Sequence, residues 1–262
     1  MNYEASTHLS DTKFKRLVGI ERRVFNEMLA CLEQAQAAVH QRGGRKLKIS
    51  MPNLLMATLQ YFKEYRTYEQ IAADFGIHEN TLIRKSHWIE DTLSKQGFAI
   101  ATQTPTKDDI AIVDVSEVRV NRPKKQALMY SGKKKCHTAK VQCIINHHKV
   151  ILQVDTSIIQ MHDFKLFKRT NPNLTNAKFI LADSGYQGIQ HLYKQAFTPL
   201  KQTKKYPLVQ EAKDYNTLLS KTRVKIEHIF AKFKAFKMFS TTYRKSLTRF
   251  ELRVKLVFGW IG

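Results

Sequence analysis

The sequence predicts an α/β protein in which an all-helical N-terminal domain is followed by a β-sheet flanked by helices. Apolar residues recur at helical spacing up to about residue 93, and Gly76 separates two short helical patterns. After Gly97 the chain carries β-branched apolar runs that are typical of buried strands. Two further helical patterns follow these runs, and strands followed by helices indicate an α/β layer structure.

The N-terminal helical patterns cover residues 20–40 and 51–63. Val24, Met28 and Leu32 form one apolar face of the first pattern. Between the two patterns, the basic, glycine-containing stretch 41–48 is predicted to be a linker or a loop that touches phosphate.

The next two patterns, 68–75 and 79–93, predict a helix-turn-helix. Thr67 and Gln70 fit a capping box at the start of the first helix, and Gly76 permits a tight turn. The second helix of such a motif enters the major groove of DNA, whereas an ordinary helical hairpin is the alternative. The residues expected to contact bases or phosphates are Asn80, Thr81, Arg84 and Lys85.

The second region is predicted to contain three successive strands, a short helical stretch, a fourth strand and then helices. The predicted strands are 109–115, 136–146, 150–157 and 178–182, with a possible short fifth strand at 198–201. The predicted helical segments are 187–195, 207–236 and 247–261. The domains are therefore predicted as 1–96 for the helical DNA-binding part, 97–108 for a linker and 109–262 for the second domain.

The charge balance favours a polyanionic partner. Of the 262 residues, 44 are Lys or Arg and 22 are Asp or Glu, which gives a formal net charge of +22. Nucleic acid is the first candidate, and a basic protein kept soluble by its lysines is the alternative. Three cysteines are too few for a disulfide framework, and the chain shows neither an apolar leader nor a membrane-spanning run. A cytoplasmic protein without a membrane partner is expected.

Three carboxylates occupy positions that suggest metal chemistry. Asp114 lies within an apolar strand, Asp183 follows the fourth strand directly, and Glu227 lies in the long helix. Carboxylates that converge in this way can bind hard divalent cations. Glu227 shares a helix stripe with Arg223 and Lys234, at the edge of the apolar face. A solvated, salt-bridged face is the alternative interpretation of that spacing.

From Asp114 onward, the chain resembles bacterial insertion-sequence transposases of the Asp-Asp-Glu class, family five. Their catalytic core is ribonuclease-H-like, with a mixed β-sheet flanked by helices. The long helix is similar to the family's Tyr-Arg-Glu-Lys signature, with Arg223, Glu227 and Lys234 at the expected spacing and Ser220 at the Tyr position. The matching motifs are DVSEVRV at 114–120, YSGKKKCH at 130–137, MHDF at 161–164, LADSGYQG at 181–188 and SKTRVKIEHIFAKFK at 220–234.

The resemblance implies a role for each of these positions. Asp114, Asp183 and Glu227 would be the catalytic and metal-binding triad for two Mg²⁺ ions, for which Mn²⁺ can substitute. Arg223 and Lys234 would contact DNA near the cut, and Lys133 and Lys134 belong to a motif with an expected phosphate contact. Glu117 and Asp163 also match family positions, where a structural role and metal contact both remain open.

The resemblance further implies a bacterial, nucleoid-associated transposase. Such a protein binds the terminal inverted repeats of an insertion sequence and cleaves and joins DNA strands, with target DNA as a second partner and a homodimer or larger assembly on DNA. One alternative is a non-catalytic helix-turn-helix DNA-binding protein, or an inactive, truncated remnant, since the chain stops at Trp260-Ile261-Gly262 directly after a helical stretch. Another is a structure-selective nuclease that cuts DNA without strand transfer.

Overall fold

The structure is a computed structural model that describes residues 1–41, 43, 48–123, 126–202 and 207–262. It divides into two compact units. The first contains Met1–Ala99, Phe233–Thr241 and Leu252–Ile261, and the second contains Ile100–Lys232, Thr242–Glu251 and Gly262. The first unit thus includes two segments from the region assigned above to 109–262, and the predicted domain bounds stay a prediction. Most of the predicted phosphate-touching loop, residues 42 and 44–47, lies outside the described residues.

The N-terminal part of the first unit is helical, as predicted. Its helices are α1 (Tyr3–Ser6), α2 (Asp11–Val18), α3 (Arg22–His40), α4 (Met51–Glu64), α5 (Tyr68–Asp74) and α6 (Glu79–Lys95). Helices α1 and α2 were not predicted because the first is one turn long and the second two turns, too short for a clear period. The Ser10 side chain accepts a hydrogen bond from the Lys13 amide at the start of α2, and Gly19, with φ +90°, ends it.

The helix-turn-helix consists of α5, a turn at Gly76 and α6. The predicted capping box is confirmed: the Gln70 amide donates to Thr67 Oγ1, and the Thr67 amide donates to Gln70 Oε1. Gly76 has φ +62°, the left-handed conformation that the turn requires. Ile71 and Leu82, at contact positions of the motif, are fully buried. These contacts fix the orientation of α6 relative to α5.

A mixed β-sheet forms the second unit. Its strands are β1 (Ile110–Arg119), β2 (Tyr130–Ser131), β3 (Cys136–Asn146), β4 (Ile151–Ser157), β5 (Phe179–Ala182) and β6 (Ala196–Phe197). Their order is β2-β3-β1-β5-β6, and β4 also pairs with β3. Strand β3 is antiparallel to β1, β2 and β4, whereas β5 is parallel to both β1 and β6. The predicted α/β class with a ribonuclease-H-like mixed sheet is confirmed.

Two predicted elements after β5 were wrong. Residues 187–195 do not form an α-helix; two 3-10 turns, Ser184–Tyr186 and Ile189–His191, take their place, and Gly188 between them has φ +93°. The predicted strand at 198–201 lies instead at Ala196–Phe197. Pro199 has no N–H to donate to a neighbouring strand, so pairing stops before it.

Two helices complete the second unit. Helix α7 (Asp163–Thr170) buries Leu166 and Phe167, and Phe167 belongs to the core on one face of the sheet, which includes Val113 and Ala182. Helix α8 (Gln210–Lys234) begins three residues after the predicted start and ends two residues before the predicted end. Its predicted apolar stripe, Ile226, Ile229, Phe230 and Phe233, is buried.

The C-terminal helices α9 (Lys237–Ser240) and α10 (Phe250–Ile261) contribute most of their residues to the core of the first unit. The ring of Phe233 stacks on Phe239 at 4.5 Å and on Phe258 at 4.7 Å. Arg253 of α10 and Glu90 of α6 form a fully buried ion pair, with Nη2 2.9 Å from Oε1. No helix within the described part of the chain is long and apolar enough to cross a membrane.

Candidate active site

Two of the predicted catalytic carboxylates lie side by side at one end of the parallel strands. In the register of β1 and β5, Val113 pairs with Ala182. Asp114 is the next residue of β1, and Asp183 is the first residue after β5. Neighbouring strands are about 4.8 Å apart, so this register brings the two carboxylates into one small region.

The Asp114 carboxyl lies in an environment with too little positive charge. Burial, the largest effect, and the negative charges of Asp183 and Asp163 raise its pKa to about 6. The Arg223 guanidinium, 3.5 Å from Oδ2, and the Val115 amide, which donates to Oδ1 at 2.8 Å, counteract this only in part. A cation placed among these carboxylates would therefore be stabilised electrostatically.

Asp163, whose role the sequence left open, is the third carboxylate of this cluster. It is the first residue of α7, and its Oδ1 accepts from Lys140 Nζ at 2.5 Å. A methyl group added at Gly185 would lie 3.0 Å from both Asp163 Oδ2 and Asp183 Oδ1, so these two side chains approach the same point. The Gly185 amide also donates to Asp183 Oδ1 at 2.8 Å and fixes that carboxylate.

Glu227 does not join the two aspartates in this conformation. It lies on α8 about 6 Å along the helix axis from Arg223, and its side chain is exposed. Among the residues that the structure describes, no three His, Cys, Asp or Glu side chains are arranged closely enough to hold a metal ion. Arg223, rather than Glu227, is the α8 side chain that reaches Asp114. The role of Glu227 stays a prediction.

Arg223 has unused hydrogen-bonding capacity. Its side chain is only 16% exposed, and Nε is buried without a hydrogen-bond partner among the described atoms. At 3.5 Å, its contact with Asp114 is a long ion pair rather than a close, bidentate one. A guanidinium of this kind can accept a further anion, as a phosphate contact near the cut would require.

The remaining predicted DNA contacts lie on exposed surfaces. Lys133 and Lys134 are exposed in the turn between β2 and β3, and Lys234 is exposed at the C-terminal end of α8. On α6, Asn80 and Arg84 are exposed, whereas Thr81 and Lys85 are half-buried. All four α6 residues lie within its first two turns, where the helix of such a motif meets base edges.

A buried lysine beside the carboxylate cluster was not recognised from the sequence. Lys140 is 7% exposed in the middle of β3, and it neutralises Asp163. The lysine in the predicted strand CHTAKVQCII could have indicated an ion pair, because a buried charge requires a partner of opposite charge. Glu117, which pairs across the sheet with Lys140 in register, accepts a hydrogen bond from Thr138 Oγ1 at 2.7 Å. Glu117 therefore has a hydrogen-bond partner within the sheet, and its role stays a prediction.

Sequence comparisons agree with this architecture. Residues 113–259 match the family model described as DDE superfamily endonuclease. The chain belongs to that family. Residues 46–98 match a second model, the helix-turn-helix of DDE superfamily endonucleases, which confirms the predicted motif. The chain is also 34% identical over 268 residues to a probable transposase for insertion sequence element IS702 from Microchaete diplosiphon, an alignment that covers 99% of this chain and 96% of that protein.

Membership of the DDE superfamily bears on the carboxylate cluster. The matched range begins one residue before Asp114 and includes Asp163, Asp183 and Glu227, so the endonuclease region contains every acidic residue of the candidate site. A transposase with a helix-turn-helix, as the resemblance implied, is the protein class that the two family matches and the relative support together. Enzymes of this family generally depend on divalent metal ions, and the oxygen donors of Asp114 and Asp183 suit such ions.

Proposed function

We propose that this chain is a transposase that binds the terminal inverted repeats of an insertion sequence and both cleaves and joins DNA strands. The observation that carries the proposal is the Asp114–Asp183 pair, which is half-buried and short of positive charge in a DDE endonuclease region. A carboxylate is costly to keep ionised in such a place unless a cation binds there. A purely DNA-binding remnant has no need for this arrangement.

Mg²⁺ is the proposed cofactor, with Mn²⁺ as a substitute. The donor set fits these ions because it consists of carboxylate oxygens, and small, hard cations bind one or two carboxylates and keep several waters. Asp114 and Asp183 would hold the metal, and Glu227 would complete the site once its exposed side chain turns towards them. Held by these residues, a metal pair would supply the activation of water or of a DNA 3′-hydroxyl and the stabilisation of the leaving oxygen.

The cations of the chain bind and orient the DNA. We assign the scissile phosphate to Arg223, since its Nε is buried with no hydrogen-bond partner in the part of the chain that the structure describes and its contact with Asp114 is long. Lys133 and Lys134, both exposed, hold phosphates beside the cut, and Lys234 is assigned to the DNA backbone as well. Asn80, Thr81, Arg84 and Lys85 of α6 read the inverted repeat in the major groove.

The partners are double-stranded repeat DNA and target DNA. Two element ends must be held together for joining, which favours a homodimer or a larger assembly on DNA. The nucleoid of a bacterial cytoplasm is the place where such a protein would meet its substrate. The formal net charge of +22 promotes encounter with DNA of any sequence, and the helix-turn-helix selects the repeats.

The test is cleavage of end-labelled DNA that carries the inverted repeats from the gene's flanks, with and without Mg²⁺. Glu227→Gln is expected to abolish cleavage and to leave the gel shift unchanged. Glu211→Gln, an exposed glutamate in the first turn of the same helix, is the matched control and should cleave as the wild type does. Undiminished cleavage by Glu227→Gln would overturn the assignment of that residue.

Asp163 is the second candidate for the third ligand because its charge acts on Asp114 and its carboxylate approaches Asp183. Asp163→Asn distinguishes the two possibilities in the same assay. If Asp163→Asn abolishes cleavage and Glu227→Gln does not, the triad is Asp114, Asp163 and Asp183. If neither wild-type protein nor control cuts repeat DNA with metal present, the chain is a binding protein without catalysis.

A further inference from the structure

An exposed apolar patch lies beside the basic turn of the second unit. Its members are Leu128 and Tyr130, each 49% exposed, with Ile158 at 43% and Ile159 at 42%. The Gln160 amide donates to the Leu128 carbonyl at 2.7 Å, which brings the two segments together. The Tyr130 ring meets His137 edge-on at 5.7 Å. Water-exposed side chains of this type in one place indicate an interaction surface.

Lysines border this apolar patch, which consists of Leu128, Tyr130, Ile158 and Ile159. Lys133, Lys134 and Lys135 are all exposed in the turn that links β2 to β3. A second copy of the chain would bring the same lysines to the same place, so like charges oppose a symmetric contact through this surface. The rim of positive charge instead fits a polyanion that also offers an apolar face.

Tyr130 projects from the same face of the sheet as Asp114. Tyr130 pairs with His137 and Asp114 pairs with Cys143, and these two β3 residues are six positions apart, which corresponds to about 20 Å along a strand. On the other segment, Ile159 is four residues before Asp163. Stacked bases of one strand are separated by about 3.4 Å, so Tyr130 lies roughly six bases from Asp114.

We infer that the apolar patch binds unpaired bases at the DNA end next to the cut, with Tyr130 as the stacking residue. In a paired duplex the base faces are stacked inside, and only phosphates, sugars and groove edges are available to a protein. Base faces become available when strands separate, and they then stack on aromatic side chains flanked by basic residues. This inference rests on the proposed function, because it places the patch beside the reacting DNA end.

The test measures binding without metal, so it does not depend on catalysis. Repeat duplexes are compared with blunt ends and with a six-nucleotide single-stranded end that contains 2-aminopurine. Stacking on an aromatic ring contributes about 1–3 kcal/mol per base, so Tyr130→Ala should weaken binding of the unpaired end by roughly 5- to 160-fold. Affinity for the blunt duplex should change less than about twofold, since the helix-turn-helix and lysines still hold it.

Two further variants separate stacking from other effects. Tyr130→Phe keeps the ring and should retain both affinity and the 2-aminopurine signal. Leu192→Ala, which removes a side chain that is 51% exposed elsewhere in the same unit, is the control and should bind as the wild type does. A blunt duplex that binds normally shows that the DNA-binding part of the proposed function holds, whatever happens at the unpaired end.

Four outcomes would overturn the inference. Equal loss of affinity for both duplexes with Tyr130→Ala would make Tyr130 a general DNA contact. No loss for either duplex would remove the patch from DNA binding. A dimer that dissociates in sedimentation when Tyr130 is replaced would make the patch an interface between copies of the chain. In wild-type protein, an unchanged 2-aminopurine signal on binding would contradict base stacking even if a variant failed to fold.

Discussion

Replacing Asp114 by asparagine should stabilise the metal-free protein while it abolishes cleavage. Asparagine has the shape of the protonated acid and no charge. Burial and the neighbouring carboxylates move the pKa of Asp114 from 3.8 to about 6, which corresponds to roughly 3 kcal/mol at about 1.4 kcal/mol per pKa unit. The wild-type protein bears this cost at neutral pH, and Asp114→Asn removes it.

The direction of the Asp114 pKa shift determines how the stability of the protein depends on pH. Because the folded state holds the Asp114 proton more tightly than the unfolded state does, the contribution of this group is fully favourable below about pH 4. It is lost as pH rises through about 6. The difference in unfolding free energy between Asp114→Asn and wild type should therefore be near zero at pH 4 and reach about 3 kcal/mol above pH 7.

The assay is thermal and urea unfolding in chelator at several pH values. For a chain of this size, about 3 kcal/mol corresponds to a rise in Tm of roughly 5–10 °C. Asp108→Asn, which removes an exposed carboxylate near the start of β1, is the control and should leave Tm unchanged. A variant no more stable than wild type at pH 7.5, or a difference that does not depend on pH, would refute the electrostatic account of the site.

Three other predictions concern the carboxylate pair, Gly185 and the buried ion pair of the first unit. Mg²⁺ should raise the Tm of the wild type more than that of Asp114→Asn, because only the wild type retains the full carboxylate pair; equal shifts in calorimetry would contradict this. Gly185→Ala should slow cleavage on the order of tenfold with an unchanged gel shift, because the added methyl lies 3.0 Å from two carboxylate oxygens and displaces them. Glu90→Gln should lower the unfolding free energy by about 3–5 kcal/mol in urea, since Arg253, 2% exposed, loses the charge of the carboxylate that its Nη2 contacts at 2.9 Å; a loss below about 1 kcal/mol would show that water reaches the pair.

The parts of the fold that follow from local periodicity were predictable from the sequence. Strand β3 was predicted with the observed bounds because the stretch 136–146, with its apolar Val141 and Ile144–Ile145, ends in the polar His147–Lys149 turn. The start of α5 was predicted from its capping box. The 3-10 turns after β5 were missed because Gly188, with φ +93°, interrupts the helix through its backbone angle, which the apolar pattern does not reveal.

The residues of the candidate site were predictable from the sequence, but their ion pairs were not, since these depend on tertiary contacts. Strand positions predicted that Asp114 and Asp183 meet, but nothing local links Lys140 to Asp163, 23 residues further along the chain. Burial of both partners against the same sheet creates that ion pair. The lysine neutralises one carboxylate of the cluster and leaves Asp114 and Asp183 as the less compensated pair, which is where a bound cation is most strongly favoured.

The helix pattern of α8 predicted which residues share one side of the helix but not which of them contacts the strand carboxylates. Arg223 and Glu227 are one turn apart and about 40° apart around the axis, so periodicity assigns them to the same side. It does not say which of the two reaches the strand carboxylates. Without metal, the negative charge at Asp114 favours the arginine, and the glutamate stays in solvent. Under the proposed function, a cation held by Asp114 and Asp183 would remove that preference, so that Arg223 would contact a DNA phosphate and Glu227 would turn towards the metal.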